Sequence, residues 1–376
     1  MFLNYYFYWF PLLFILLAFA AIVEGRREVP GQGLLHYRTA LFCFFSVGMI
    51  LLSGFRPMDF GADDDTYYEA FIGSSDYIDL WSLKYEYEIS YFNMEHGFVL
   101  YMYFLKLFGS DQIVLFLSTA LITIAINAKL ILKFSPYALF SLLIYFSGVY
   151  FQKDLNQIRF GLVSALAFLS AYLFLSRRNA LGVMIYLLGV FIHIGSALSI
   201  VSLLFSRVKL KPRFSILLLL FSVFLSGKGL ASYLINLVPK GTVLGEKLAF
   251  YLNSKEYSYQ ISLVDPVNMK NIFLVAFFSY FYKFYSARFN YFYFFYNLLV
   301  FYACFRIVFS DFAIVAARIA ALFSFVDFIL IPMMVIILKP RLLGKILLFT
   351  YCCLIFSFIL KNPNWSDFSM EQLYGI

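Results

Sequence analysis

An arginine stands near the start of a long apolar run, in the stretch KDLNQIRF from Lys153 to Phe160. A guanidinium in a membrane segment is costly, so Arg159 needs a partner. Its planar fork of donors matches the oxygens of a phosphate group, and helix N-terminal amides would add to anion binding. The stretch predicts an anion contact at Arg159, with Gln157 as a secondary candidate. The alternatives are snorkelling to the interface or a salt bridge to Asp154.

A second arginine lies deeper in an apolar segment, SDFAIVAARIAALFSF, which starts at Ser310. Arg318 stands about two turns inside it and needs a carboxylate, a carbonyl or a bound anion. Asp311, seven residues earlier on roughly the same helix face, is the internal alternative. We predict Arg318 as a further anion contact and take Arg306, in the preceding segment, as a secondary candidate.

An acidic stretch, FRPMDFGADDDTYYEAF, begins at Phe55. The loop that it opens, from Arg56 to Glu95, contains ten of the chain's 21 acids: Asp59, Asp63, Asp64, Asp65, Glu69, Asp76, Asp79, Glu86, Glu88 and Glu95. The run from Asp63 to Asp65 could hold a divalent cation, take a proton from a hydroxyl, or be solvated. It lacks the remaining spacing of an EF-hand. Interleaved aromatics such as Tyr67 suit sugar recognition and equally suit an interfacial helix.

Histidine is rare in this chain, and His193 lies in the apolar stretch FIHIGSAL. It is either a buried packing residue or a proton donor at a site. The four cysteines lie in apolar segments without CxxC spacing, and no HExxH occurs, so we predict no zinc site and no cofactor. GxGxxG and P-loop motifs are also missing, which argues against a nucleotide site and for a substrate that arrives through the membrane.

These side chains must be positioned by membrane helices. The chain has 376 residues, of which 63% are hydrophobic and 13% charged, and its mean hydropathy is +0.83. These values predict an all-α polytopic membrane protein of about 12 transmembrane helices, within a range of 11 to 14, forming a single integral membrane domain over 1–376. Segment 97–109 is too short to be counted as a span.

Basic residues predict which loops face the cytoplasm. With the N-terminus outside, the cytoplasmic side holds two acids, Glu24 and Glu28, and the following basic residues: Arg26, Arg27, Arg38, Lys129, Lys133, Arg177, Arg178, Arg207, Lys209, Lys211, Arg213, Lys283, Arg288, Lys339, Arg341 and Lys345. This topology requires a bend near His193. The net charge of +8 then follows from loop anchoring, and no nucleic-acid partner is predicted.

The same topology places the candidate residues on one extracytoplasmic side. That side contains an acidic loop with juxtamembrane helices over 56–110, directly after the second span, and a second loop over 228–269. Arg159, His193, Arg306 and Arg318 fall there as well. A single extracytoplasmic site is therefore predicted.

Four short elements resemble the EpsG-like and Wzy-type polysaccharide polymerases, of the O-antigen or exopolysaccharide kind. Arg56 followed by Gly61 to Tyr67 and Phe71 resembles that family's R…G-x-D-x-x-x-Y…F signature after the second span. NQIRFGLVSAL is similar to its R-Q-x-x-A helix start, FIHIGSAL to its F-H-x-S-A-L element, and ARIAALF to its later arginine helix. The usual Arg-Gln pair is Arg159-Phe160 here, and Gly161 stands near a common Ala.

The resemblance implies a GT-C-like glycosyltransferase of the bacterial inner membrane, with its active site on the periplasmic face. It implies transfer of a glycan from undecaprenyl diphosphate to the non-reducing-end hydroxyl of another lipid-linked repeat unit, without a metal. Membrane lipid, a flippase and a chain-length regulator are the further expected partners. The implied site residues have three roles. Diphosphate ligands are Arg56, Arg159 and Arg318, catalytic groups are Asp63, Asp65 and His193, and secondary candidates are Gln157, Tyr67, Asp64 and Arg306.

Two other functions share part of this pattern. An O-antigen-ligase-like enzyme would use the same donor and similar arginines, but such ligases usually carry a larger extracytoplasmic loop in the second half than 228–269. A lipid-linked-oligosaccharide flippase would line a central cavity with polar residues along its whole depth and show a two-lobed repeat. The gathering of polar residues near one face favours the polymerase.

Overall fold

The computed structural model describes residues 2–25, 36–58, 60–74, 94–230 and 260–361, together with 233, 238 and 239. The structure is 79% helix, and no strand occurs in this part of the chain, so the all-α prediction is confirmed.

The helices coincide with the apolar segments of the sequence. Those of the first half are α1 Phe2–Val23, α2 His36–Gly54, α3 Asp64–Gly73, α4 His96–Lys106, α5 Gln112–Phe134, α6 Ala138–Ile144, a π-helix Tyr145–Tyr150, α7 Phe151–Lys153 and α8 Ile158–Leu175. Those of the second half are α9 Asn179–Ile192, a 3-10 helix Ile194–Ile200, α10 Val201–Phe205, α11 Pro212–Leu225, α12 Pro266–Tyr280, α13 Tyr282–Ser286, α14 Phe292–Val308, α15 Ala313–Leu322, α16 Phe325–Met333, a 3-10 helix Met334–Ile336 and α17 Arg341–Leu360.

Fewer helices than predicted have the length of a membrane span. Among the described residues, the helices long and apolar enough to cross are Tyr6–Val23, Tyr37–Gly54, Gln112–Phe134, Ile158–Leu175 and Arg341–Leu360. The pair Val315–Leu322 and Phe325–Ile336 would add a sixth if it is one broken span. Other apolar segments form helices of 10 to 17 residues, so the prediction of about twelve crossings is not confirmed.

The chain divides into two compact units. The first comprises Met1–Leu169, Val183–Ile194 and Asp327–Ile376, and the second comprises Ser170–Gly182 and Gly195–Val326. Helix α9 ends at Ile192, and a separate 3-10 helix begins at Ile194, so the helix is interrupted at His193. The predicted interruption of the helix near His193 is therefore confirmed.

Close helix packing organises the first unit, where α1 packs on α6 and α2 packs on α5. Gly54 permits the second contact, because a Cβ there would lie 2.8 Å from the Cα of Leu117. Asp111 begins α5 by accepting a hydrogen bond from the N–H of Ile113 (2.9 Å), which satisfies one of the free donors of the first turn. Phe10 stacks on Phe60 with ring centres 5.3 Å apart, which fixes the residues before α3 against α1.

A buried carboxylate closes the N-terminal end of α6 in the same unit. Glu24, just after α1, accepts hydrogen bonds from the N–H groups of Leu139 (3.0 Å) and Phe140 (3.3 Å). Burial raises the pKa of Glu24 to about 7, although these amides and Arg38 oppose the rise. The Lys345 ammonium donates to the backbone carbonyl of Glu24.

In the second unit α14 packs against α11, α12 and α15. Asp265 begins α12 by accepting from the N–H groups of Val267 (3.0 Å) and Asn268 (3.3 Å), and Pro266 occupies the first turn, where its missing N–H costs nothing. Most of the predicted loop 228–269, and residues 75–93 of the predicted loop 56–110, lie outside the described residues.

Candidate active site

The turn before α8 carries the stretch that the sequence analysis singled out. The N–H of Gln157 donates to the carbonyl of Gln152 (3.0 Å), and α8 begins at the next residue. A Cβ at Gly161 would lie 2.9 Å from the carbonyl oxygen of Lys153, so this first turn requires a glycine. Because α8 begins at Ile158, Arg159 is its second residue, and its side chain is half-buried.

One carboxylate brings the two predicted residues Arg159 and His193 together. Nη1 of Arg159 donates to Oε2 of Glu95 (2.7 Å), and Nδ1 of His193 lies 3.0 Å from Oε1 of the same carboxylate. Glu95 directly precedes α4, Arg159 begins α8 and His193 follows α9. The three side chains, here called the Glu95 cluster, are 15%, 15% and 13% exposed, so they are shielded without being closed off.

Asp154, the alternative partner predicted for Arg159, makes other hydrogen bonds. Its Oδ2 accepts a hydrogen bond from the hydroxyl of Tyr145 (2.6 Å), and its backbone carbonyl accepts from the hydroxyl of Ser53 (2.7 Å). The ion pair of Arg159 is made to Glu95 instead, an acid that sequence reasoning counted in the acidic loop without assigning it a role.

Aromatic rings border the Glu95 cluster. The guanidinium carbon of Arg159 lies 6.0 Å from the ring centre of Phe98, at the limit of a cation–π contact. Phe160 meets the His193 ring edge-on at 5.9 Å. Tyr67 of α3 meets Phe98 edge-on, also at 5.9 Å, so this secondary candidate is one ring away from Arg159.

A glycine allows α4 to approach α9 where the cluster forms. A Cβ at Gly97 would overlap the carbonyl group of Phe191, a clash of backbone with side chain that rotation cannot relieve. Gly97 lies two residues after Glu95, and Phe191 lies two residues before His193. The absence of a side chain at Gly97 therefore lets the Glu95 carboxylate reach the imidazole.

Arg56 and Asp64 form a second ion pair, which is fully buried. Nη2 of Arg56 lies 2.7 Å from Oδ1 of Asp64, and both side chains are 0% exposed. Arg56 also donates to the carbonyl of Ser53 (2.8 Å) and lies 3.6 Å from the ring centre of Phe116, while Asp64 accepts from the N–H of Gly61 (2.8 Å). These contacts anchor the loop between α2 and α3. The diphosphate role of Arg56 stays a prediction.

The neighbouring acids lie beside the turn before α8. The N–H of Asp63 donates to the side-chain carbonyl of Asn156 (3.2 Å), and a Cβ at Gly61 would overlap the carbonyl of Leu155. Asp63 is half-buried and Asp65 is exposed. Within the described part of the chain, no three His, Cys, Asp or Glu side chains lie together as a metal site would require.

The other predicted arginines belong to the second unit. Nε of Arg306 donates to Oδ1 of Asn268 (3.0 Å), and its Nη2 donates to Oδ1 of Asp265 (2.9 Å), so this buried arginine is bound to the start of α12. Arg318 is half-buried in α15. Its participation in one site with Arg159 stays a prediction.

Comparison with known proteins identifies the family of the chain. Residues 39–374, which include every predicted site residue, match the EpsG family. The chain is 26% identical over 367 residues to the amylovoran biosynthesis protein AmsC of Erwinia amylovora, covering 95% of this chain and 94% of that protein. No solved structure matches. The predicted family is thereby confirmed, and with its long apolar helices this integral membrane protein belongs to the EpsG family.

Proposed function

We propose that this protein polymerises lipid-linked repeat units, transferring a growing glycan from undecaprenyl diphosphate to the non-reducing-end hydroxyl of another unit. Membership of the EpsG family and the likeness to a protein of amylovoran biosynthesis support a polymerase role in making a polysaccharide. The reaction would take place at the outer face of the bacterial inner membrane, in a GT-C-like helical enzyme. A flippase and a chain-length regulator would act with it.

The convergence of Arg159 and His193 on one carboxylate is the observation that carries this proposal. Two side chains, one from the start of α8 and one from the residue after α9, meet the two oxygens of Glu95 at 2.7 and 3.0 Å. Donors so arranged also fit two oxygens of a phosphate group, and the start of α8 adds the positive end of a helix dipole. The cluster is thus built to hold an anion at the mouth of an apolar helix, where the headgroup of a lipid carrier would lie.

The chemistry requires such a site. The acceptor hydroxyl oxygen bonds to the anomeric carbon of the donor glycan while the bond from that carbon to the diphosphate oxygen breaks, and undecaprenyl diphosphate leaves. Negative charge grows on the leaving oxygen, and fixed hydrogen-bond donors stabilise it in the transition state. Arg159 and His193 would supply these donors in the first unit, and Arg318 is the proposed third contact.

The acceptor proton needs a base, and Asp63 and Asp65 are the proposed candidates. Asp64 is held by Arg56 in a closed ion pair, so we propose its half-buried neighbour Asp63 or its exposed neighbour Asp65 as the base. The backbone N–H of Asp63 donates to the side chain of Asn156, which precedes Arg159 by three residues in the sequence. Either carboxylate would accept the proton as the new bond forms. Tyr67 and Gln157 stay secondary candidates for contact with the substrate.

A polymerisation assay tests the function directly. Purified protein in lipid nanodiscs is supplied with undecaprenyl-diphosphate-linked repeat units, and the products are separated by size. We expect a ladder that Arg159→Ala reduces by about 10²-fold or more in rate. Arg178→Ala, which removes an exposed guanidinium just beyond the other end of α8, is the matched control and should leave the ladder intact.

Other outcomes of this assay would contradict the proposal. A ladder unchanged in Arg159→Ala would remove the arginine from the site. Transfer only to a lipid A core acceptor would indicate a ligase, and transbilayer movement of the donor without transfer would indicate a flippase. Loss of activity on metal chelation would contradict the metal-independent mechanism.

A further inference from the structure

The first unit contains two arginine–carboxylate pairs that differ in access. The Arg56–Asp64 pair is 0% exposed on both sides, whereas Arg159 and Glu95 are each 15% exposed. A fully buried pair cannot exchange partners without exposing its charges to an apolar interior, which is strongly unfavourable. The partly open pair can exchange its carboxylate for an incoming anion.

We propose that Glu95 is an exchangeable counter-ion, which occupies Arg159 and His193 between turnovers and releases them to the diphosphate of the lipid-linked donor. The inference rests on the proposed function, because it takes the diphosphate as the incoming anion. Each oxygen of Glu95 meets a different donor, at 2.7 and 3.0 Å, and two oxygens of a phosphate group can replace them at the same donors.

The two anions compete because their charges repel. A diphosphate placed on Arg159 brings more than one negative charge within a few ångströms of the Glu95 carboxylate, in surroundings that screen charge less than water does. Glu95 must then rotate away or take up a proton. While it stays in place, it lowers the affinity of the site for every diphosphate.

The backbone around Glu95 is suited to such a rotation. Its carbonyl accepts hydrogen bonds from the N–H groups of Phe98 (3.0 Å) and Val99 (3.3 Å), so the main chain is tied to α4. Its side chain makes no capping bond to that helix. We therefore propose that the exchange at Arg159 and His193 is a rotation of the Glu95 side chain, with the main chain held in place by α4.

An exchangeable counter-ion also assists release of the product. After transfer, undecaprenyl diphosphate holds the donors that the next lipid-linked unit requires. Return of the Glu95 carboxylate displaces it and restores the site. A variant without this charge should therefore bind the product more tightly and turn over more slowly, two effects that a purely structural role would not produce together.

Binding measurements separate these possibilities. Full-length protein in nanodiscs is titrated with undecaprenyl diphosphate, undecaprenyl monophosphate and inorganic pyrophosphate. For Glu95→Gln we expect the Kd of both diphosphate probes to fall by about 10-fold, a typical coupling between two sites, with a smaller change for the monophosphate. Glu69→Gln, which removes an exposed acid from α3, is the matched control and should bind as the unmodified protein does.

A second variant covers the case in which Glu95→Gln does not fold. Glu95→Ala also removes the carboxylate, and it should tighten diphosphate binding in the same direction. Thermal unfolding of each variant in nanodiscs shows which one to use. Steady-state kinetics of the folded variant should show a lower KM together with a lower kcat.

Three results would overturn the inference. Equal or weaker diphosphate binding in folded Glu95 variants would show that Glu95 is a fixed support. Equal tightening in Glu69→Gln would assign the effect to net charge alone. If the unmodified protein and Arg159→Ala bind diphosphate equally, or not at all, the proposed function loses its site and the inference falls with it. The first two results leave the polymerase proposal standing.

Discussion

Glu95 accepts a hydrogen bond of 2.7 Å from Arg159, although 64 positions separate the two residues in the sequence. The pair joins the start of α4 to the start of α8, and the contact of His193 with the same carboxylate adds the end of α9. Three elements must therefore dock correctly before the Glu95 cluster exists. Mutations in the docking surfaces should affect activity without touching any charged residue.

Gly97→Ala should damage the cluster through packing alone. The added methyl would overlap the carbonyl of Phe191 and push α4 away from α9. Overpacking of this kind typically costs about 1–3 kcal/mol in stability. A displacement of Glu95 by about 1 Å can cost 10²-fold in rate. Thermal unfolding and the polymerisation ladder measure the two effects separately.

Gly48→Ala is the matched control for that change. Gly48 lies in α2 of the same unit, and an added Cβ would lie 3.4 Å from the Leu13 side chain, which is near ordinary contact distance. We expect unchanged activity and a stability equal to or slightly above that of the unmodified protein, because alanine favours a helix over glycine. Equal damage in both variants would contradict the special role of Gly97.

The sequence predicted the helices well because apolar runs and helices have the same cause in a membrane protein, the need to satisfy backbone groups within the segment. The predicted break at His193 also follows from the sequence, since the distribution of basic residues requires two short crossings there instead of one long helix. The number of membrane crossings could not be predicted from the sequence in the same way. Segments such as Pro212–Leu225 are apolar enough but short, and composition alone cannot distinguish a short span from a buried helix.

The site was predicted in part. Arg159 and His193 stand out because polar residues are rare in apolar segments, and the structure brings them together. Glu95 was one acid among ten in its loop, and neither spacing nor composition marked it. The one available signal was the glycine two residues later, Gly97, which permits a close helix approach. Which acid pairs with Arg159 depends on how α4 docks against α8, and the sequence does not show this. For that reason the nearby Asp154 was considered instead of Glu95.

Asp64→Asn should destabilise the protein strongly. The substitution removes the charge that compensates Arg56 inside a pair with no exposure on either side. Leaving one partner of a buried ion pair uncompensated typically costs about 3–5 kcal/mol. The measurement is the free energy or midpoint of unfolding in nanodiscs, together with the yield of folded protein. Glu69→Gln, an exposed acid of the same helix, should change stability by less than about 0.5 kcal/mol; a comparable loss there would contradict the explanation.

Arg159→Lys tests whether the site needs a guanidinium or only a positive charge. Lysine keeps the charge but offers a compact ammonium instead of a planar fork, so it cannot hold two oxygens in the same geometry. We expect a rate between those of the unmodified protein and Arg159→Ala, about 10-fold or more below the former. The rate of ladder growth at saturating donor measures it, with Arg178→Lys as the control. Full activity in Arg159→Lys would show that charge alone is sufficient.

The buried carboxylate of Glu24 should make stability depend on pH. Burial raises its pKa to about 7 in the folded protein, above the ordinary value of 4.5. A raised acid pKa means that the folded state binds the proton more tightly, so the stabilisation is complete below pH 4.5 and is lost as the pH rises to about 7. The loss is on the order of 3 kcal/mol. Unfolding midpoints measured between pH 4.5 and 7 should fall as the pH rises. Glu24→Gln is neutral throughout and should remove most of this pH dependence. An unchanged pH dependence in the variant would show that another group titrates.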